Sequence, residues 1–171
     1  MLAALFDEEG ESRVVLTRRA STMRSHRSEV SFPGGRVEAG ETLVGAALRE
    51  SNEEVGLDPR DVEVIGELTP LTTFSSGALI QPFVGFLPGR PLLRANPNEV
   101  ELAFDVALAE LLADGVHRSE RWAFGDVRRD IHFFDLPGDI VWGATARMLW
   151  ELLSRVTGTV PDPRPEDGPL P

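Results

Sequence analysis

The chain has no cysteine, no lysine and no tyrosine. Without cysteine it can build no disulfide framework, no thiol nucleophile and no thiolate zinc site. That absence fits a reducing compartment, and a cytoplasmic location is the expectation. Without lysine it has no Schiff-base chemistry and no P-loop, whose motif ends on that residue. All 17 basic residues are therefore arginines, which grip two oxygens of a phosphate or carboxylate at once. Positive charge is also scarce. Seventeen basic residues face 28 acidic ones, a net charge of −11, which argues against nucleic acid duplexes or an anionic membrane as partners. No apolar run is long enough to cross a bilayer, and the first six residues read as a strand, not a signal. The 171 residues, 42% of them hydrophobic, suit one domain with a sizeable core.

Residues 32–57, FPGGRVEAGETLVGAALRESNEEVGL, concentrate the chemistry. Residues 42–55 contain no proline and are rich in Ala and Leu, which predicts a helix with Leu43, Ala46 and Ala47 on its apolar side. Gly56 stands where a left-handed cap belongs. On that helix Glu50, Glu53 and Glu54 share one face. Like charges at this spacing repel by about 0.2–0.5 kcal/mol per exposed pair, and the helix dipole disfavours anions in the last turn. A divalent cation removes the objection, because Mg²⁺ and Mn²⁺ prefer carboxylate oxygens. Taken alone, three glutamates at a helix end are more often a solvated face, with Arg49 pairing to Glu53.

The upstream spacing reverses that balance. Gly35, Glu41, Arg49-Glu50, Glu53-Glu54 and Gly56-Leu57 resemble the Nudix box, G-x5-E-x7-R-E-U-x-E-E-x-G-U, with U aliphatic. Ser51 is the one departure, standing where an apolar residue is usual. A second resemblance precedes the box: L-T-R-R-A-S-T-M-R-S-H-R-S-E-V-S-F-P-G-G is similar to the upstream motif of coenzyme A pyrophosphatases, with Ser28 where that subgroup has glycine. Arg19 and Arg24 fall on matched positions, and Arg27 lies in the same acid-free segment, residues 18–27. This segment reads either as a solvent-facing loop or as a phosphate-binding surface.

The rest of the chain reads as scaffold. Residues 2–6 and 14–17 predict strands around a turn at 7–12. Residues 62–71 and 79–87 predict two more, the second an edge or bulged strand because it contains Pro82. Residues 88–97 predict a loop, 99–104 a strand, 107–112 a short helix, and 121–124 with 131–134 a hairpin. Residues 141–156 predict the second long helix, with Trp142, Ala146, Leu149, Leu153 and Val156 as its apolar stripe. Trp142 and Trp150 read as core. His117 and His132 read as structural, without spaced partners. Residues 159–171 hold five prolines and no periodicity, which predicts a disordered tail after a domain at 1–158.

The resemblance implies a Nudix-type α/β/α sandwich with a mixed sheet between helices. It implies a Mg²⁺- or Mn²⁺-dependent hydrolase acting on the diphosphate of a small nucleotide derivative. Coenzyme A or its thioesters come first, giving 4′-phosphopantetheine and adenosine 3′,5′-bisphosphate. Another substrate such as ADP-ribose, a dinucleotide or a nucleoside triphosphate is the alternative. A Nudix-fold binding module without catalysis is the third, and the retained glutamates argue against it. By the same resemblance Glu50, Glu53, Glu54 and the Gly35 carbonyl are metal ligands, and Arg49 with Glu41 braces the loop. Glu53 and Glu99 are the candidate bases, while Arg19, Arg24 and Arg27 read phosphates. A homodimer is carried as an expectation.

Overall fold

The computed structural model describes residues 1–21, 28–73 and 77–158. Arg24, Arg27, the turn before Gly77 and the tail at 159–171 lie wholly or mainly outside them. Strand β1 (Leu2–Glu8) begins the chain, and its run LAALF is buried along its whole length, as a strand covered on both faces must be. Its side chains alternate between two cores. Ala3 and Leu5 enter one with Leu16, Phe134, Met148 and Leu149. Leu2, Ala4 and Phe6 enter the other with Ala47, Val55, Phe83 and Val100.

The sheet around β1 is mixed. Strand β2 (Glu11–Arg19) pairs with it antiparallel through the tight turn Glu9-Gly10, both residues at positive φ, the conformation a two-residue hairpin needs. Strand β3 (Val30–Ser31) and later β8 (Val100–Ala107) also pair with β2. Strand β4 (Glu63–Glu67) forms the exposed edge. A small hairpin, β5 (Leu71–Thr72) and β6 (Leu79–Ile80), leads into β7 (Phe83–Phe86), which lies between β1 and β4.

Pro82 thus has a different place from the one its sequence context predicts. It interrupts the run between β6 and β7, and β7 is an interior strand. The missing N–H falls in the gap between two ladders, and the Pro82 carbonyl still accepts from the Leu68 N–H at 3.0 Å. Helix α1 (Leu43–Val55) covers one face of the sheet. Helix α2 (Leu108–Leu111) follows β8.

The C-terminal third builds a second, three-stranded sheet. Strands β9 (His117–Phe124) and β10 (Val127–Leu136) form the predicted hairpin, longer than the sequence suggests and closed by Gly125-Asp126. Strand β11 (Asp139–Trp142) pairs with β10. Helix α3 (Gly143–Val156) packs on the first sheet's other face through Ala146, Met148, Leu149, Leu152 and Leu153. The sandwich is therefore α/β/α, as the motif implies. The helix begins two residues later than its stripe predicts. Val141 and Trp142 belong to β11, and Gly143, at φ 63°, turns the chain into the helix.

His117 and His132 are partners after all. His117 Nε2 and His132 Nδ1 lie 3.0 Å apart, and the His132 ring stacks on Trp150 at 4.8 Å. They stand two residues out of register on adjacent strands, so both face one side of the sheet, a pairing that linear spacing cannot reveal. Burial lowers the His132 pKa to about 4, with the neighbouring His117 and Arg147 acting the same way. The folded state therefore stays neutral at His132 where the unfolded chain, near 6.5, takes up a proton. Stability from this seam is complete above pH 6.5 and falls as pH drops towards 4. We expect His132→Gln to shrink the acid-induced fall in melting temperature over that window. An unchanged pH profile by differential scanning calorimetry would contradict this.

Candidate active site

Helix α1 carries the site because both its ends are fixed. Thr42 caps its start, its hydroxyl accepting from Gly45 N–H at 3.1 Å, and Gly56 closes it at φ 77°. The loop after β7 then ties its last carbonyls down. Arg94 N–H donates to the Val55 carbonyl at 2.9 Å and Asn96 N–H to the Glu54 carbonyl at 2.8 Å. The same Asn96 carbonyl receives the Glu99 and Val100 N–H groups at 3.0 and 2.8 Å, while the Glu99 carbonyl accepts from Ala20 N–H at 2.9 Å. One loop thereby sets the helix end, Glu99 and the end of β2 against each other.

Three carboxylates converge as a result. Glu50, Glu54 and Glu99 each place one oxygen within 4.8 Å of the others. Glu54 is buried, at 3% exposure, and its Oε2 accepts the Gly34 N–H at 2.9 Å. Burial pushes its carboxyl up to about 7; the Gly34 bond and Arg19 pull it down, while Glu50 and Glu99 add to the rise. Gly35 fits against Glu50 so closely that a Cβ there would lie 2.4 Å from the Glu50 carboxyl carbon. The glycine turn is thus a space requirement of the acidic cluster. Arg19 Nη1 reaches Glu54 Oε1 at 3.9 Å, and its buried Nε has no hydrogen-bond partner among the described residues.

Arg49 braces the cluster. Its Nε and Nη2 hold both oxygens of Glu41 at 3.0 and 3.1 Å, Nη2 also donates to the Arg36 carbonyl at 2.9 Å and to Glu50 at 3.2 Å, and Nη1 holds Glu53 at 3.0 Å. The hydrogen bonds from Arg49 bring the Glu41 carboxyl below its usual range. Glu53, expected among the metal ligands, does not join the three converging carboxylates: its side chain is 52% exposed and turned to Arg49.

The carboxylate set fits a hard divalent cation. Three carboxyl groups able to present oxygens to one point are the donors Mg²⁺ or Mn²⁺ takes, and a bound cation would favour the ionised form of Glu54. Beside the cluster opens a cleft of about 1580 Å³, lined among others by Arg19, Gly35, Arg36, Leu79, Trp122 and Trp142.

Residues 1–124 match the model of the NUDIX domain. The chain belongs to the Nudix hydrolase family. It is 37% identical over 145 residues to the uncharacterized Nudix hydrolase NudL of Photorhabdus laumondii, spanning 84% of this chain and 76% of that protein. It is 40% identical over 159 residues to the chloroplastic Nudix hydrolase 22 of Arabidopsis thaliana, spanning 87% of this chain and 52% of that one. The chain therefore spans about half the length of the plant relative. Its fold is shared with a MutT/nudix family protein from Enterococcus faecalis, at TM-score 0.64 and 19% identity over 92% of this chain and 61% of that one. It is also shared with the Nudix hydrolase RenU of M. smegmatis, at TM-score 0.61 and 17% identity over 94% and 85%. Nudix enzymes act on pyrophosphate bonds of small nucleotide derivatives and generally use divalent metal ions. Among the described residues, no helix is long and apolar enough to cross a membrane.

Both departures from the Nudix motifs have a local answer. Ser51 is fully buried, and its hydroxyl donates to the Ala47 carbonyl at 2.6 Å, so the polar group is satisfied within its own helix. Ser28 holds φ at 57°, the left-handed conformation that glycine adopts without steric cost. Three features escape sequence reasoning: the Asn96 loop, the Gly34 N–H and the placement of Trp142. The first two act through the backbone, which leaves no signal in side-chain type. Gly143 was the available sign that the helix starts after Trp142.

Two outcomes follow from this geometry. Gly35→Ala should displace the Glu50 carboxylate and weaken Mn²⁺ binding by about 10-fold or more, read by calorimetry, with the circular dichroism spectrum retained. Ser28→Gly should relieve the left-handed backbone and raise unfolding stability by a few tenths to about 1 kcal/mol, read by urea denaturation.

Proposed function

We propose that this Nudix chain hydrolyses the diphosphate of a nucleoside diphosphate derivative, with coenzyme A or its thioesters as substrate. The observation that carries the reading is the convergence of Glu50, Glu54 and Glu99 within 4.8 Å beside a cleft that Arg19 and Gly35 also line. Glu50, Glu54 and Glu99 would hold the cation, with Glu53 and the Gly35 carbonyl as further candidate donors. When bound, the cation neutralises diphosphate charge and acidifies a water.

The chain's own residues supply the rest. Arg19, with an unsatisfied buried donor and a second nitrogen near Glu54, is placed to take phosphate oxygens. Arg24 and Arg27 are proposed to join it. Arg49 keeps Glu50 and the loop carbonyl of Arg36 in place and does not touch substrate in this reading. Water adds to one phosphorus, the bridging oxygen leaves with the other phosphate, and the water's proton passes to a carboxylate. Glu99, converging with the cluster, and Glu53, beside it on the exposed side, are the two candidates for that proton.

The coenzyme A assignment is supported by the upstream motif. Its Leu16-Thr17-Arg18-Arg19-Ala20 segment ends β2 at the site, and Ser28 already holds the backbone angle that the subgroup's glycine permits. The cleft's volume also suits a large substrate. Hydrolysis of coenzyme A, ADP-ribose and a dinucleotide with Mg²⁺ or Mn²⁺, followed by chromatography of products, tests the assignment. We expect coenzyme A to be cleaved fastest, to 4′-phosphopantetheine and adenosine 3′,5′-bisphosphate. Cleavage no faster than that of ADP-ribose removes the assignment and leaves another diphosphate derivative as substrate. Glu54→Gln keeps an acceptor for the Gly34 N–H, so it should fold normally and lose at least about 100-fold in turnover. Near wild-type turnover at saturating Mg²⁺ would refute the role given to Glu54.

A further inference from the structure

Two indoles in the cleft have no part in the carboxylate chemistry. Trp122 on β9 stands across from Arg129 on β10, and Trp142 on β11 stands across from Phe133. Strand alternation puts Trp122, Phe133 and Trp142 on one face of the second sheet. Ring centroids confirm it, at 6.0 Å from Trp122 to Phe133 and 6.5 Å from Trp122 to Trp142. Phe133 is covered, with the Arg118 guanidinium 4.1 Å over its ring. The two indoles are not: Trp122 is 39% and Trp142 43% exposed. The third tryptophan, Trp150, differs, since His132 stacks on it and the Arg147 guanidinium lies 4.5 Å from its ring centroid.

Their location gives the exposure a use. Trp122 and Trp142 line the same cleft as Arg19 and Gly35, and they also line an adjoining groove with Arg18 and Ser28. They therefore stand where the two cavities meet. The Trp122 ring is fixed, its Nε1–H donating to Glu120 at 2.8 Å, and the sheet that carries it is tied to β2 by Arg18 and Asp139 at 3.1 Å. A half-bare indole pair on a sheet anchored in this way is a surface for a flat ring. A flexible apolar chain gains less from such rigidity, whereas every nucleobase has a π-face that can stack.

We propose that Trp122 and Trp142 form the platform on which the substrate's heteroaromatic base stacks, making them specificity-determining residues of this cleft. The inference rests on the nucleoside diphosphate reading for the presence of a base, and it does not depend on coenzyme A.

Metal-free full-length protein titrated with AMP, and separately with ribose 5-phosphate, tests the platform by tryptophan fluorescence and calorimetry. AMP should quench fluorescence and bind more tightly than ribose 5-phosphate. Trp142→Ala and Trp122→Ala should each weaken AMP by roughly 5- to 100-fold and leave ribose 5-phosphate unchanged. Trp142→Phe, which keeps a ring, should recover most of the AMP affinity and guards against a folding defect. Alanine variants that bind AMP like wild type, or that lose both ligands equally while Trp142→Phe does too, overturn the platform. So does a wild type that does not distinguish the two ligands. Ring-dependent AMP binding without hydrolysis of any diphosphate would remove the hydrolase reading and keep the platform. Diphosphate hydrolysis with unchanged KM in the alanine variants would do the opposite.

Discussion

The crowding of negative charge at the end of α1 is the constraint on which the other features depend. Carboxylate oxygens of Glu50, Glu54 and Glu99 within 4.8 Å of one another repel by roughly 3 kcal/mol per ionised pair at an effective dielectric of about 20. Arg49 cannot offset this alone. It is shared among Glu41, Glu50 and Glu53, and solvent-screened ion pairs of this kind contribute little. Two outlets remain. One is protonation, expressed in the Glu54 carboxyl's rise to about 7 through burial first and its acidic neighbours next. The other is a cation. In the proposed reading, the ionised cluster is costly without a cation and becomes favourable with one.

That constraint explains why so much backbone is committed near the site. Gly35 is bare because Glu50 fills the space a Cβ would need, and Gly34 is bare because its φ of 140° and the adjacent Met1 backbone leave no room. Asn96 works through its carbonyl and N–H, joining the end of α1 to the start of β8. Such contacts fix the carboxylates without spending charged side chains, so the local charge stays available to a metal.

The legible and illegible parts of this chain separate along the same line. The box is legible because Gly35, Glu41, Arg49-Glu50, Glu53-Glu54 and Gly56-Leu57 together keep the family's spacing, whereas the glutamates alone read as a solvated face. Helix α1, its Gly56 cap and the Glu41–Arg49 brace are legible too, because they are local in sequence, whereas Thr42 reads as part of the helix and serves as its cap. The second sheet was harder, because its partners are set by tertiary pairing. Trp142 fits a helical stripe on paper, yet Gly143 places it at the end of β11. His117 and His132 are fifteen residues apart, a separation that no short-range pattern encodes. Pro82 reads as a mark of an edge or bulged strand, whereas the chain spends that proline on a break before an interior strand, whose pairing with β4 does shift register at Val64/Gly66.

Arg18 and Arg19 show how the fold divides labour between chemically identical neighbours. Strand alternation sends them to opposite sides of β2, and the register of β2 against β8 shifts between them. Arg18 turns to Asp139 and Glu101 and ties the second sheet to the first. Arg19 turns to Glu54 and the cleft. Composition treats the pair as one basic patch, and only the two-residue period of the strand distinguishes them. The same tie places the sheet bearing Trp122 and Trp142 against the strand bearing Arg19. A structural ion pair made by Arg18 thereby joins the sheet that bears the indoles to the strand whose next residue faces the cleft.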